Sequence, residues 1–348
     1  MVHFNALPGL FFEIKESFTN IKNKWLDKAL KLHEEIPGNE IHIDQILRYL
    51  EIYKSLEEVK KLLAVTKDRI PRTIRVNTIL ISTSMLKKRL ERKDVHTSDY
   101  KYVDYGLIVE KSPLPIGALH EYLYGYYTLQ KPASMLVVPS MKLNQTKPSL
   151  IIDMCAGAGI KTTQISQHLP QSKIIAIDTN RRKLLALKNH LSRLGVFNVI
   201  AFKLDARNLQ NYNLSPNAIL LDAPCSGEGL LPFPEGRWPR TISDIVGRVK
   251  LQYQLLDTAV KILTYNGVLL YATCSISVEE NEYVLSKIIE KYNDVLEIEE
   301  PDIKMAKNGI TEYSTLKLNK KLKLCKRIHP HIHLLEGFTI CLLRKTKK

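Results

Sequence analysis

The chain is 348 residues long, enough for two or three domains, and 51 Lys+Arg against 36 Asp+Glu give it a formal charge of +15. That balance points to a polyanionic partner, nucleic acid ahead of a membrane surface, since no apolar run reaches the roughly 20 residues a spanning helix needs. With no charged and then apolar leader after Met1-Val2-His3-Phe4-Asn5, and five scattered cysteines without a Cys-x-x-Cys pair, secretion, a disulfide framework and a zinc ribbon are set aside, leaving a soluble cytoplasmic protein.

Residues 1 to about 38, up to Pro37-Gly38, mix aromatics with lysines and read as a helical arm. From Ile43 through Ile46, Leu47 and Leu50 to Leu56, Val59, Leu62 and Leu63, apolar residues recur at helical spacing, which predicts one amphipathic helix or a pair and extends the arm over 1–70. Beyond Ile70-Pro71, Thr73 to Thr78 reads as a strand, 84–92 as a basic helix and Tyr102 to Val109 as a strand again. These make a small basic α+β domain over 71–140, read as an RNA-binding platform. The polar connector Lys142 to Pro148 leads into a catalytic domain over 148–348.

In that domain strands alternate with helices. Strands are expected at Leu150–Asp153, Lys173–Asp178, Val199–Phe202, Ala218–Asp222 and Val268–Ala272, with helices near Thr162–Leu169, Arg181–Leu194 and Ile245–Leu263. The alternation implies the α/β class with a doubly wound parallel sheet. Gly337 to Arg344 is a last strand, and Lys345-Thr346-Lys347-Lys348 a basic tail.

Chemistry collects at the carboxyl ends of such strands. The apolar run Ala218-Ile219-Leu220-Leu221 empties into Asp222-Ala223-Pro224-Cys225-Ser226-Gly227, a carboxylate and a thiol among turn formers. The first strand opens into Asp153-Met154-Cys155-Ala156-Gly157-Ala158-Gly159-Ile160-Lys161, where small residues let backbone approach a ligand at a helix start. It is not a Walker loop, which needs glycines where Ile160 and Cys155 stand, nor a dinucleotide fingerprint, which needs a third glycine at Thr162. A nucleoside without pyrophosphate remains, and S-adenosylmethionine is the obvious cofactor. Asp178 ends the next strand where a carboxylate grips a ribose diol, and Asp205 follows the third, placed to accept from an adenine amino group. Singly, each acid is as well explained as a helix N-cap. The cofactor set is therefore Asp153, Cys155, Ala156, Gly157, Ala158, Gly159, Ile160 and Lys161, with Asp178, Arg182, Asp205 and Asp222 around them. A second thiol, in Thr273-Cys274-Ser275, ends a neighbouring strand, and helix-start signals over Ser275 to Glu280 would favour its thiolate.

Asp222-Ala-Pro-Cys225-Ser-Gly together with Thr273-Cys274-Ser275 and Glu279-Glu280-Asn281-Glu282 resembles the RNA 5-methylcytosine methyltransferases of the Nop2/Sun (RsmB-like) family. The likeness runs from Arg75-Val76-Asn77-Thr78 through Gln130-Lys131-Pro132-Ala133-Ser134-Met135 to His329-Pro330-His331 and Gly337-Phe338. The first 40 or so residues lie outside it. It implies a class I S-adenosylmethionine-dependent methyltransferase fold behind a small N-terminal α+β domain. It also implies that Cys274 attacks the base, that Cys225 helps release product, and that Lys161 and Asp222 line the cytosine pocket. Where the family usually has Ala-Pro-Gly-Gly before that lysine, this chain has Gly157-Ala158-Gly159-Ile160.

The residues also make chemical sense by themselves. Cytosine C5 is a poor nucleophile until a thiolate adds at C6, and a hydrogen bond at N3, from Asp222, assists that addition. The expected activity is methyl transfer to C5 of cytidine in structured RNA, with tRNA preferred over rRNA because the chain is compact and shows no ribosomal-type extension. The rival readings are an RNA-binding module with a degenerate methyltransferase domain, and a DNA enzyme using Cys225 as nucleophile. His329, His331 and His333 would share one face of a strand, but Pro330 interrupts it and the likeness makes His329-Pro330-His331 substrate-side structure, so no metal is expected. A monomer is expected.

Overall fold

The computed structural model describes residues 7–36, 41–65, 70–231 and 241–347. Met1 to Asn5, the Pro37-Gly38 boundary and Lys348 lie outside them. Three helices open the chain, α1 (Leu7–Glu35), α2 (Ile43–Tyr53) and α3 (Leu56–Leu63). The amphipathic stretch is a pair because Lys54 turns left-handed, at φ 53°, and Ser55 caps the second helix by accepting from the Glu58 N–H.

The small domain comprises β1 (Thr73–Val76), α4 (Thr83–Glu91), β2 (His96–Asp99), β3 (Gly106–Lys111), α5 (His120–Leu123) and β4 (Tyr127–Leu129), its antiparallel sheet ordered β2-β3-β1-β4. The strand expected from Tyr102 begins only at Gly106, since Val103 and Gly106 donate to the carbonyls of Tyr100 and Val103 in successive turns. Single turns α6 (Pro132–Met135) and α7 (Leu143–Thr146) follow, the second inside the stretch read as a connector, with Leu143 buried.

The large sheet is built from β5 (Leu150–Asp153), α8 (Ile160–His168), β6 (Lys173–Asp178), α9 (Arg181–Leu194), β7 (Val199–Lys203), β8 (Ala218–Asp222), α10 (Ile242–Ile262) and β9 (Val268–Thr273). It is completed by α11 (Val284–Lys291), β10 (Leu296–Glu299), β11 (Lys307–Asn308), β12 (Lys326–Ile328), α12 (Pro330–His333) and β13 (Phe338–Lys345). Five strands run parallel in the order β9-β8-β5-β6-β7. The sheet is mixed rather than wholly parallel, because β13 lies antiparallel to β9 and carries β10 and β12. Strand order reverses between β5 and β8, so a crevice opens at their carboxyl ends, where Asp153 and Asp222 stand.

The helices read as an arm share one apolar core with α10, α11 and the sheet: Trp25, Leu47 and Leu50 belong with Leu221, Leu256 and Tyr283. Next to the Lys326–Ile340 pair, Cys325, just before β12, and Cys341 on β13 form a single disulfide, which the scattered spacing of the cysteines did not reveal. The histidine reading changes too, since Pro330–His333 is a helical turn and not a strand. Among the described residues no helix is long and apolar enough to cross a membrane, and no cluster of metal-ligating side chains occurs.

Candidate active site

A cavity of about 770 Å³ opens at the crevice. It is lined by Asp153, Cys155, Ala156, Gly157, Ala158, Ile160, Lys161, Asp178, Asp205 and Asp222, and on its far side by Cys225 and Cys274. Two expected cofactor residues are absent from the lining. Arg182 is exposed on α9 and Lys183, the next residue, faces the cavity in its place. Gly159 instead allows α8 and α9 to approach, for at φ 84° a Cβ there would stand 2.7 Å from Leu187. That left-handed glycine caps α8, and Ile160 continues as ordinary helix, so the loop needs only one of the family's two glycines.

Each strand-end acid has a distinct setting. Asp178 accepts backbone N–H bonds from Gly157 at 2.9 Å and Asn180 at 2.7 Å, tying the β6 end to the glycine loop. Asp205 caps the following turn and is gripped by the Arg207 guanidinium at 2.6 and 3.0 Å, which holds its carboxyl below the usual range. Asp153 is buried; its Oδ2 accepts from Thr162 at 2.6 Å, and the Cys155 backbone N–H also favours its carboxylate, while Oδ1 makes no full hydrogen bond within the described residues. Burial pushes its carboxyl up to about 7 despite that bond.

This shift carries a sign. An aspartate in the unfolded chain titrates near pH 4, so between about pH 4 and 7 folded Asp153 holds an extra proton and stability falls as pH rises. Asp153→Asn, a permanent mimic of the protonated form, should match the wild-type thermal midpoint near pH 3 and exceed it at pH 8; equal midpoints at both would place the titration elsewhere.

On the catalytic side, Lys161 Nζ donates to Asp222 Oδ2 at 2.5 Å and lies 5.3 Å from the Phe338 ring centroid. The sulfurs of Cys225 and Cys274 are 3.2 Å apart. That contact, burial and the charges of Glu280 and Asp222 push the Cys225 thiol well up. The helix end expected at Cys274 is displaced, since a π-helical turn starts only at Glu279. His329 and His331 bond Tyr53 and Glu58 of the N-terminal helices, at 2.6 and 3.2 Å, and do not line the cavity.

Sequence reasoning left several contributors without a role. Arg75 is buried and reaches from β1 to Gln130 Oε1, Ile160 O and Thr163 Oγ1 at 2.7–2.8 Å, fixing the start of α8 to the small domain. Asn77 likewise spans Gly125 O and Leu194 O. Their presence in the quoted Arg75-Val76-Asn77 motif was the available signal. Buried Glu280 accepts from Ser226 N at 2.8 Å and Oγ at 2.5 Å and from Gln252 at 3.0 Å, holding the Cys225 loop from behind.

A doubly wound sheet with a glycine loop and strand-end acids at its switch point defines the class I methyltransferases. Residues 140–344 match the model of the 16S rRNA methyltransferase RsmB/F family, and the chain belongs to that family. It is 33% identical over 297 residues to a human 28S rRNA (cytosine(4447)-C(5))-methyltransferase, 83% of this chain and 36% of that protein. To a Pyrococcus horikoshii tRNA (cytosine(72)-C(5))-methyltransferase it is 37% identical over 249 residues, 70% of this chain and 59% of that one. The chain thus spans less than two thirds of either relative. A crystal structure of a P. horikoshii methyltransferase homologue superposes with a TM-score of 0.77 at 30% identity, covering 92% of this chain and 99% of the other.

Proposed function

We propose that this protein transfers a methyl group from S-adenosylmethionine to C5 of a cytidine in RNA through a covalent Cys274–C6 adduct. The observation that carries the reading is the pair of thiols 3.2 Å apart at the ends of β8 and β9, beside the Lys161–Asp222 pair. The residues fit the cofactor: a Cβ at Gly157 would meet open space, Asp178 retains lone pairs for a ribose diol, and buried Asp153 Oδ1 suits an ammonium. Bound there, S-adenosylmethionine supplies an electrophilic methyl on a sulfonium.

The chain's residues do the rest. The Cys274 thiolate adds to C6 of a flipped cytosine, the C5=C6 pair shifts to C4=C5 and the C4=N3 pair takes a proton at N3 from Asp222, leaving C5 as a nucleophilic enamine carbon. C5 then forms its bond to the methyl carbon, and the carbon–sulfur bond of the donor breaks with its electron pair left on sulfur. A base removes the C5 proton, the C5=C6 double bond re-forms as the C6–Sγ bond breaks with its pair on sulfur, Cys274 leaves as thiolate with Cys225 assisting, and N3 returns its proton to Asp222. Lys161 orients Asp222 throughout.

On substrate, tRNA is proposed ahead of rRNA, with support from the archaeal tRNA relative. The human rRNA relative makes rRNA the second reading. The small domain is the proposed RNA platform: Lys101 Nζ lies 4.9 Å from the Tyr102 ring centroid, and His120 stacks on Tyr124, pairing charge with exposed rings. A cytoplasmic monomer completes the proposal. The deciding experiment gives purified protein labelled S-adenosylmethionine with unmodified tRNA or rRNA, followed by bisulfite sequencing; label absent from both, or on a base other than cytosine, would overturn it.

Two further outcomes are expected. Asp178→Ala should weaken S-adenosylmethionine binding by about 1.5–3 kcal/mol, as for a hydrogen bond to a charged group, measured by calorimetry. RNA affinity should drop steeply with salt as phosphate contacts release counterions, and a flat plot of log affinity against log salt would count against the basic platform.

A further inference from the structure

The loop bearing Cys225 is held by a residue outside the segment that defines the family. Arg48, on α2, makes a bidentate ion pair with Glu228, Nη1 to Oε2 at 2.8 Å and Nη2 to Oε1, and both side chains are fully buried. Glu228 lies three residues beyond Cys225. The next residue, Gly229, donates its N–H to the Cys274 carbonyl at 3.0 Å and accepts from Gly337 N–H at 2.7 Å. One short segment therefore runs on from Cys225 and bonds the backbone of Cys274, and its only guanidinium partner among the described residues comes from the N-terminal helices. Burial, with Glu280 and Glu279 nearby, pushes the Glu228 carboxyl up to about 7, and the two-point Arg48 contact opposes that rise by favouring the ionised form.

We infer that Arg48 is a positioning residue: through Glu228 and Gly229 it sets the spacing of Cys225 and Cys274, and so the rate at which the covalent adduct resolves. The inference rests on the proposed roles of the two thiols. A buried ion pair is weak evidence of stabilisation in itself, because well-packed apolar replacements are often neutral. That separates a structural role from a positioning one.

The test is the double variant Arg48→Met/Glu228→Met, assayed beside Arg48→Lys and Cys225→Ala. The double variant should keep near wild-type thermal midpoint, KM and S-adenosylmethionine affinity, lose roughly 10- to 100-fold in kcat, as displacements of about 1 Å do, and accumulate a protein–RNA complex on denaturing gels. Arg48→Lys, retaining charge without the two-point grip, should recover part of the rate. Wild-type kcat in a folded double variant overturns the inference, as does wild-type kcat in Arg48→Lys if the double variant does not fold. If Cys225→Ala traps RNA while the double variant turns over normally, only the Arg48 inference fails. If Cys225→Ala traps nothing, the two-thiol reading fails, and Arg48 is judged on kcat alone.

Discussion

Cys274→Ala should abolish methylation and form no complex with RNA containing 5-fluorocytosine, whereas Cys225→Ala should methylate and then stall as a protein–RNA species that survives denaturing electrophoresis. With the sulfurs 3.2 Å apart, both thiols reach one flipped base. Fluorine at C5 cannot leave as a cation, so only the variant that retains the nucleophile can be trapped. Loss of covalent catalysis is the largest effect available at this site, on the order of 10⁴-fold or more in kcat. The opposite assignment, in which Cys225 attacks as in DNA cytosine methyltransferases, predicts trapping by Cys274→Ala instead. Methylation unchanged in both variants would remove the thiols from the reaction.

Asp222→Asn should lower kcat by about 10²–10⁴-fold, the range for losing a positioned proton-transfer group. The amide preserves the shape and can still accept from Lys161, now 2.5 Å from the carboxylate, but it cannot hold a proton for N3. Asp222 was placed in both the cofactor and the base sets, and two measurements separate these. Single-turnover methyl transfer should fall while S-adenosylmethionine affinity, read by calorimetry, stays within about threefold, since Asp222 would give the cofactor at most one weak hydrogen bond. The converse pattern would assign Asp222 to the cofactor alone.

The strand-end chemistry was legible because β strands announce themselves as apolar runs and the sheet places their ends together. Asp153, Asp178, Asp222, Cys225 and Cys274 could thus be assigned to one rim without coordinates. Contacts that depend on rotation about a helix axis were not: Arg182 and Lys183 are adjacent in sequence and point differently. Nor were pairings across long separations. Arg48 and Glu228 are 180 residues apart, and Glu228 sits in a turn where a charged residue ordinarily faces water. The antiparallel arrival of β13 also escaped, because a terminal strand carries no sign of its direction, and with it the register that sets Cys325 opposite Cys341.

The shared core of the N-terminal helices has a practical meaning for dissecting this enzyme. The start of the family match at residue 140 is not a boundary of solvent exclusion. A fragment started there would open the core that Trp25, Leu47 and Leu50 share with residues of α10 and α11, and leave Glu228 without its cation. Contiguous apolar surface of that kind drives association. Truncation would therefore measure misfolding in place of RNA recognition, and the small domain's share of RNA affinity is better read from substitutions at its exposed lysines and tyrosines in the intact chain.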